Sequence, residues 1–212
     1  GLARAARATD IEEARVVIGE LSLSTRRTAR LVQQLLALGR LDPEAIGDLQ
    51  FREHDLVMLA QDVGAAHADQ ALAKGIDLEL LAASRPVFAH MISDLIAEAL
   101  SNLIDNAIKY TPAEGTVTAH AEPLTGGGAI IRVSDSGIGV APEYQHRIFE
   151  RFFRVQQTRP RTGLPDATGA GLGLPIAVWI AKAHGGSLVL AHSDERGSVF
   201  ELRLPPHRLQ VG

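Results

Sequence analysis

Apolar positions along the first 42 residues recur with the period of a packed helix. Val17, Leu21, Ser24, Thr28, Leu31, Leu35 and Leu38 fall at alternating spacings of four and three, a seven-residue repeat that lines the seam between helices. Thr9-Asp10-Ile11-Glu12-Glu13 offers a capping residue followed by acidic positions, which predicts a long helix from that point. Residues 1–8 then read as the end of a preceding helix. Pro43 stops the long helix, because proline disfavours helical geometry in the residue before it.

From about residue 48 the pattern turns to mixed helix and strand. Strands are predicted at Leu49–His54, Ile76–Leu81 and Pro86–Ala89, and a helix over 56–73 is capped by Asp55 and closed near Gly75. A helix of about five turns follows from Ser93 to Lys109, ended by Thr111-Pro112. Thr116–Ala121 and Ala129–Ser134 read as an antiparallel pair joined at Gly126-Gly127-Gly128. A helical patch is expected at 142–151, then a glycine- and proline-containing stretch from Gln156 to Ala170. A last helix at 172–184 and the hairpin Ser187–His192 with Ser198–Leu204 close the pattern. The chain thus divides into a helical segment (1–42), a linker (43–47), an α/β domain (48–206) and a tail (207–212).

Composition narrows the function classes. With 46% hydrophobic and 22% charged residues, the chain reads as ordinary globular protein. Its net charge of −4, from 21 basic and 25 acidic residues, gives no overall field to hold nucleic acid. Arg159-Pro160-Arg161 reads as a loop. Cysteine is absent, which excludes disulfide scaffolds, thiolate metal sites and cysteine nucleophiles. No apolar run approaches the roughly 20 residues of a bilayer span, so no membrane contact is expected of this stretch. The chain starts in mid-pattern without an initiator Met, and the expectation is a piece of a longer protein.

Three constellations carry chemistry. Glu98, Asn102 and Asn106 are four apart on the 93–109 helix and share one face, while Leu95, Ile96, Leu103 and Ile104 fill the opposite one. A carboxylate and two carboxamides in line offer the oxygen ligands that Mg²⁺ accepts beside phosphate and water, and Lys109 one turn on could meet a phosphate. Taken alone, this is equally a solvated polar stripe. Asp135-Ser136-Gly137-Ile138-Gly139 follows the apolar strand Ile130-Ile131-Arg132-Val133. Its carboxylate could accept from an adenine amino group, with glycines allowing close backbone approach; alone, it is equally a strand-to-helix turn. Thr168-Gly169-Ala170-Gly171-Leu172-Gly173-Leu174-Pro175 precedes a helix whose free N–H groups could cradle phosphate. A dinucleotide-binding reading fails on context, because no strand leads into this loop.

In this order the elements resemble the ATP-binding domain of sensor histidine kinases. Asn102-Leu103-Ile104-Asp105-Asn106-Ala107-Ile108-Lys109-Tyr110-Thr111-Pro112 resembles the asparagine box, and Asp135–Gly139 the first glycine box. Phe149-Glu150-Arg151-Phe152-Phe153-Arg154 is similar to the phenylalanine box, and Gly169–Leu174 to the second glycine box. Gly197-Ser198-Val199-Phe200 matches the final hairpin. The resemblance covers about residues 48–206 and extends to a superfamily that includes Hsp90 chaperones, type II topoisomerases and MutL proteins.

It implies an α+β fold: a two-layer α/β sandwich of the Bergerat type, with a mixed, mostly antiparallel sheet covered by helices on one face, preceded by a helical hairpin remnant. It further implies ATP/ADP and Mg²⁺ as cofactors. Asn106, assisted by Asn102, would ligate the metal, and Glu98 would activate the attacking group. Lys109 and Tyr110 would contact phosphates. Asp135 would read adenine in a pocket shaped by Gly137, Ile138 and Gly139. Gly169, Ala170, Gly171, Leu172, Gly173 and Leu174 would line the phosphates beneath a lid at about 155–170. Arg154 would add a phosphate contact, with Arg151 a competitor for that role. Phe149, Phe152 and Phe153 read chiefly as packing between lid and core, with Phe153 also a candidate nucleotide contact.

Residues 1–42 resemble the dimerisation helices of such kinases, with Leu31–Asp42 fitting the end of the second helix. The phosphoacceptor motif, a histidine followed by an acidic residue and later a proline, is not found among the 8 histidines. His54 precedes Asp55 but falls in a strand without a nearby proline; His90, His146, His184 and His192 read as surface or packing residues. The implied partners are ATP, a response-regulator receiver domain and a second copy joined through the amino-terminal helices. The implied location is cytoplasmic, with inner-membrane anchoring of a full-length protein left open. A regulatory pseudokinase, another ATPase of the superfamily and a serine kinase of the anti-sigma type stand as alternatives.

Overall fold

Asp55 sets the first corner of the domain. Its carboxylate accepts from Val57 N at 2.9 Å, capping helix α1 (Leu56–Ala73) just after strand β1 (Arg52–Asp55). The computed structural model describes residues 51–81, 85–154 and 171–206. The chain divides into two compact units, Gly1–Ala45 and Ile46–Gly212, and every described residue belongs to the second. The helices expected in 1–42, the 155–170 stretch with Gly169 and Ala170, and the tail lie outside the described residues.

Beyond α1 come β2 (Asp77–Leu81), β3 (Phe88–Met91), the long helix α2 (Ser93–Tyr110), β4 (Thr116–Pro123) and β5 (Ala129–Asp135). A short 3₁₀ turn (Pro142–Tyr144) precedes α3 (Gly173–Ala183), β6 (Ser187–Asp194) and β7 (Gly197–Leu204). One sheet runs β2-β4-β5-β7-β6, and β1 pairs with β3 in a separate two-stranded ribbon. Only β2–β4 is parallel; β4–β5, β5–β7 and β6–β7 are antiparallel. The architecture is the expected α+β one.

Alternation along the strands separates the two faces of the sheet. Val117, Ala119 and Ala121 of β4, Ala129, Ile131 and Val133 of β5, and Phe200, Leu202 and Leu204 of β7 are buried. The intervening Thr118, His120, Glu122, Arg132 and Ser134 are only half-buried. Against the buried face α2 packs Ile96, Leu100, Leu103, Ile104 and Ile108, and α3 packs Ile176, Ala177, Ile180 and Ala181. Gly64 brings α1 hard against β2, since a Cβ there would lie 2.4 Å from Leu80 Cδ2.

Most elements match the sequence reading to within a few residues, but the helical patch at 142–151 does not form. After Pro142–Tyr144 the chain continues as successive turns, with Arg147 N, Glu150 N and Phe153 N each bonding a carbonyl three residues back. Side chains anchored in different directions override the helical periodicity. Gln145 bonds the Val140 carbonyl, Phe149 packs edge-on to Phe200, and Phe153 lies against Tyr144 and under the Arg147 guanidinium. Ten residues are also too few for a helix that no packed apolar face supports.

Candidate nucleotide site

α2 is the spine on which the three constellations meet. Its polar stripe is internally bonded: the Asn102 amide donates to Glu98 Oε1 at 3.3 Å, and Asn102 is 5% exposed. That bond turns Asn102 Oδ1 towards the start of α3, where a Cβ on Gly173 would lie 3.1 Å away. α3 begins at Gly173 with no side-chain cap, after Gly171 in the left-handed conformation (φ +68°). Its leading N–H groups and positive dipole end therefore lie beside the asparagine stripe. Leu172 is buried and Leu174 half-buried. Asn106, half-buried, follows one turn after Asn102.

At its far end α2 meets the acidic strand tip. Ile138 N donates to the Tyr110 carbonyl at 3.3 Å, and a Cβ on Gly137 would lie 2.7 Å from that same oxygen. Asp135 Oδ1 accepts from Gly137 N at 2.9 Å. Burial pushes the Asp135 carboxyl above its usual range, against hydrogen bonds from the Gly137 and Ser198 backbone.

The closing hairpin supports this loop from below. A Cβ on Gly197 would fall on the Asp135 carbonyl, and one on Gly139 on the Asp194 carbonyl, so only glycine fits either place. Ser193 Oγ accepts from Val140 N at 2.8 Å and lies 3.0 Å from Ser198 Oγ. Thr111 Oγ1, next to this junction, is buried without a hydrogen-bond partner.

Positive charge gathers at the same end. Lys109 is held below the usual lysine range by burial and by the neighbouring Arg154 charge, while burial raises Tyr110 against the influence of Arg154. Two cations kept close in a partly desolvated place suit an anion. The donor set fits a magnesium ion held largely by phosphate and water. Glu98, Asn102 and Asn106 supply oxygen atoms, and among the described residues no group of three or more acidic, histidine or cysteine side chains could hold a metal alone.

Phe149 and Phe153 pack as expected, whereas Phe152 is 65% exposed with φ +62°. Phe152 N donates to Gly171 O at 3.0 Å. His184 is a packing histidine, accepting from Ile92 N at 3.1 Å and lying edge-on to Phe51, on which His90 stacks. His146 and His192 are exposed. Sequence reasoning passed over Lys74 and His67. His67 is buried between α1 and α2, with Nε2 3.2 Å from Ser101 Oγ and 3.3 Å from Asp105 Oδ1.

Residues 91–208 match the family described as histidine kinase-, DNA gyrase B-, and HSP90-like ATPase. The chain belongs to this family. It is 40% identical over 185 residues to the sensor histidine kinase RppB of Synechocystis, and 37% identical over 187 residues to the sensor protein kinase PmrB of Pseudomonas aeruginosa. These alignments cover 85% and 88% of the chain but 38% and 37% of the relatives, so the chain spans under two fifths of their length. Among solved structures it is similar to the catalytic domain of histidine kinase ThkA (TM-score 0.62, 26% identity, covering 74% of this chain and 96% of that one). It is also similar to full-length ShkA in complex with AMPPNP (TM-score 0.66, 28% identity, covering 86% and 37%). The described domain is therefore the ATP-binding catalytic domain of the sensor histidine kinase type. No helix among the described residues is long and apolar enough to cross a membrane.

Proposed function

We propose that this chain binds Mg²⁺-ATP between α2, the Asp135–Gly139 loop and the start of α3, and transfers the γ-phosphoryl group to a histidine. The reading is supported above all by the convergence on α2: Tyr110 against Gly137 and Ile138 at one end, Asn102 against Gly173 in the middle. Ionised Asp135 accepts from the adenine amino group, and its Oδ1 is already fixed by Gly137 N. Lys109, Tyr110 and Arg154 surround the phosphates with donors and positive charge. The Gly171–Leu174 backbone, at the positive end of α3, faces the same anion.

Asn106 and Asn102 would hold Mg²⁺, which would supply neutralising charge to the phosphate oxygens. Glu98, bonded to Asn102, activates the attacking imidazole by taking up its proton. In the transfer a nitrogen–phosphorus bond forms as the γ-phosphorus–oxygen bond breaks, and the electron pair leaves with ADP. Catalysis is positioning and charge neutralisation. The phosphohistidine would then serve a response-regulator receiver domain. The amino-terminal heptads support a homodimer, and a cytoplasmic location accords with the ATP requirement.

The test is transfer of labelled phosphate from ATP to a separately supplied histidine-bearing helical segment. The chain itself should stay unlabelled, and the added segment should acquire an acid-labile label. Asn106→Asp should abolish both binding and transfer with the fold intact. Failure of the unaltered chain to bind Mg²⁺-ATP by calorimetry would overturn the assignment.

A further inference from the structure

The two ends of the α1–α2 pair are joined by one ammonium group. Lys74 is the residue that closes α1, and its Nζ lies 2.6 Å from the Ile108 carbonyl and 2.7 Å from the Lys109 carbonyl. Those oxygens belong to the last turn of α2, where carbonyls run out of intrahelical donors. The shortage has a specific cause. The residue four beyond Ile108 is Pro112, which has no N–H to give. Thr111 N supplies the last helical bond, to Ala107 O, and Tyr110 O is taken by Ile138 N. Lys74 fills the remaining vacancies.

The backbone on either side makes the arrangement rigid. Gly75 turns at φ +69°, its N–H bonding Leu72 O at 2.9 Å. Its carbonyl accepts from Glu114 N at 2.7 Å, and Asp77 N donates to Gly115 O at 2.9 Å. The segment after α1 is thereby stitched to the segment after α2, with Lys74 at the seam. There is an electrostatic consequence. A helix carboxyl end carries about half a negative charge, a poor neighbour for a polyphosphate. An ammonium bonded to two of those carbonyls offsets it beside Lys109 and Tyr110.

We propose that Lys74 is a positioning residue for nucleotide binding: by tying down the carboxyl end of α2 it places Lys109 and Tyr110 for the phosphates. The inference rests on the ATP reading above. A mere helix cap would affect stability alone, or would loosen the whole site evenly. A positioning role acts on the phosphate end and leaves adenine recognition at Asp135 in place.

The experiment compares the unaltered chain with Lys74→Met and Lys74→Arg, measuring affinity for Mg²⁺-ATP and for adenosine by calorimetric competition. Lys74→Met should weaken ATP by about tenfold, in keeping with lost charge-assisted hydrogen bonds, and change adenosine affinity less than twofold. Lys74→Arg, which keeps charge and donors, should recover most of the loss. Should Lys74→Met fail to fold, Lys74→Gln carries the same comparison. An equal loss of ATP and adenosine, or an ATP affinity unmoved in the methionine and glutamine variants, would overturn the inference. A failure of the ATP reading shows separately, as an unaltered chain that binds neither ligand.

Discussion

Asn102 and Gly173 stand so close that a side chain on residue 173 would begin only 3.1 Å from the asparagine carbonyl oxygen. Gly173 is the first residue of α3 and has no positive φ, so alanine is compatible with its backbone and restricts the unfolded chain, a gain of roughly 0.4–1 kcal/mol. Gly173→Ala should therefore keep or raise thermal stability while displacing the Asn102 amide by a few tenths of an ångström. ATP affinity should fall by roughly tenfold, about 1.4 kcal/mol. Melting curves and calorimetric titration on one preparation check it; a parallel loss of stability and affinity contradicts it.

Asp135→Asn separates recognition from folding in a different way. Because burial raises the Asp135 carboxyl, its ionised form is a cost to the native state near neutral pH. For a raised pKa, stability is fully present below the unfolded value and is lost as pH rises through the folded one. The neutral amide relieves that cost, so the variant should melt at the same temperature or higher. It also presents an N–H where adenine presents another, and ATP binding should disappear. In the unaltered chain, affinity should decline on acidification with a midpoint above the ordinary aspartate value of 3.8, read from titrations at several pH values.

His184 predicts an acid limit to stability. Its Nε2 accepts from Ile92 N and its Nδ1 lies 2.7 Å from the Ile180 carbonyl, an arrangement that uses the neutral ring. Burial lowers its pKa from 6.5, against the Ile180 hydrogen bond. A depressed pKa gives stability that is present above the unfolded value and lost as pH falls towards the folded one. The melting temperature should drop as pH falls below about 6.5, and His184→Asn should flatten that part of the profile. An identical slope in the variant would assign the acid limit elsewhere.

Thr111→Val tests the orphan hydroxyl. Thr111 is fully buried and its Oγ1 has no partner, an arrangement that costs about 1–3 kcal/mol. The isosteric valine removes the polar atom without opening a cavity and should leave stability unchanged or raise it by about 1 kcal/mol. Chemical denaturation midpoints decide, and a loss of more than about 1 kcal/mol would mean the hydroxyl has a bonded role.

Much of this was legible in the chain alone, for local reasons. α1 and α2 announce themselves through Asp55 and Thr111-Pro112, and the strand pairs through alternation around Gly126–Gly128. The glycines at 137, 139 and 197 were visible as motif positions, but what each touches was not. The backbone oxygens of Tyr110, Asp194 and Asp135 come from distant stretches of chain. Lys74 escaped notice for the same reason, because its acceptors lie 34 and 35 residues away. The failed helix at 142–151 shows the converse: its local signal was real and lost to side-chain anchors, among them Phe200 of the distant strand β7.

The hydrogen bond from Phe152 to Gly171 lets the domain tolerate variation in chain length. Phe152 N and Gly171 O lie 3.0 Å apart, so the framework closes there whatever number of residues separates them in sequence. The entropy of closing a loop grows only with the logarithm of its length, about 0.6 kcal/mol for each doubling. Residues can therefore be inserted or removed there with little penalty to the α2–α3 packing.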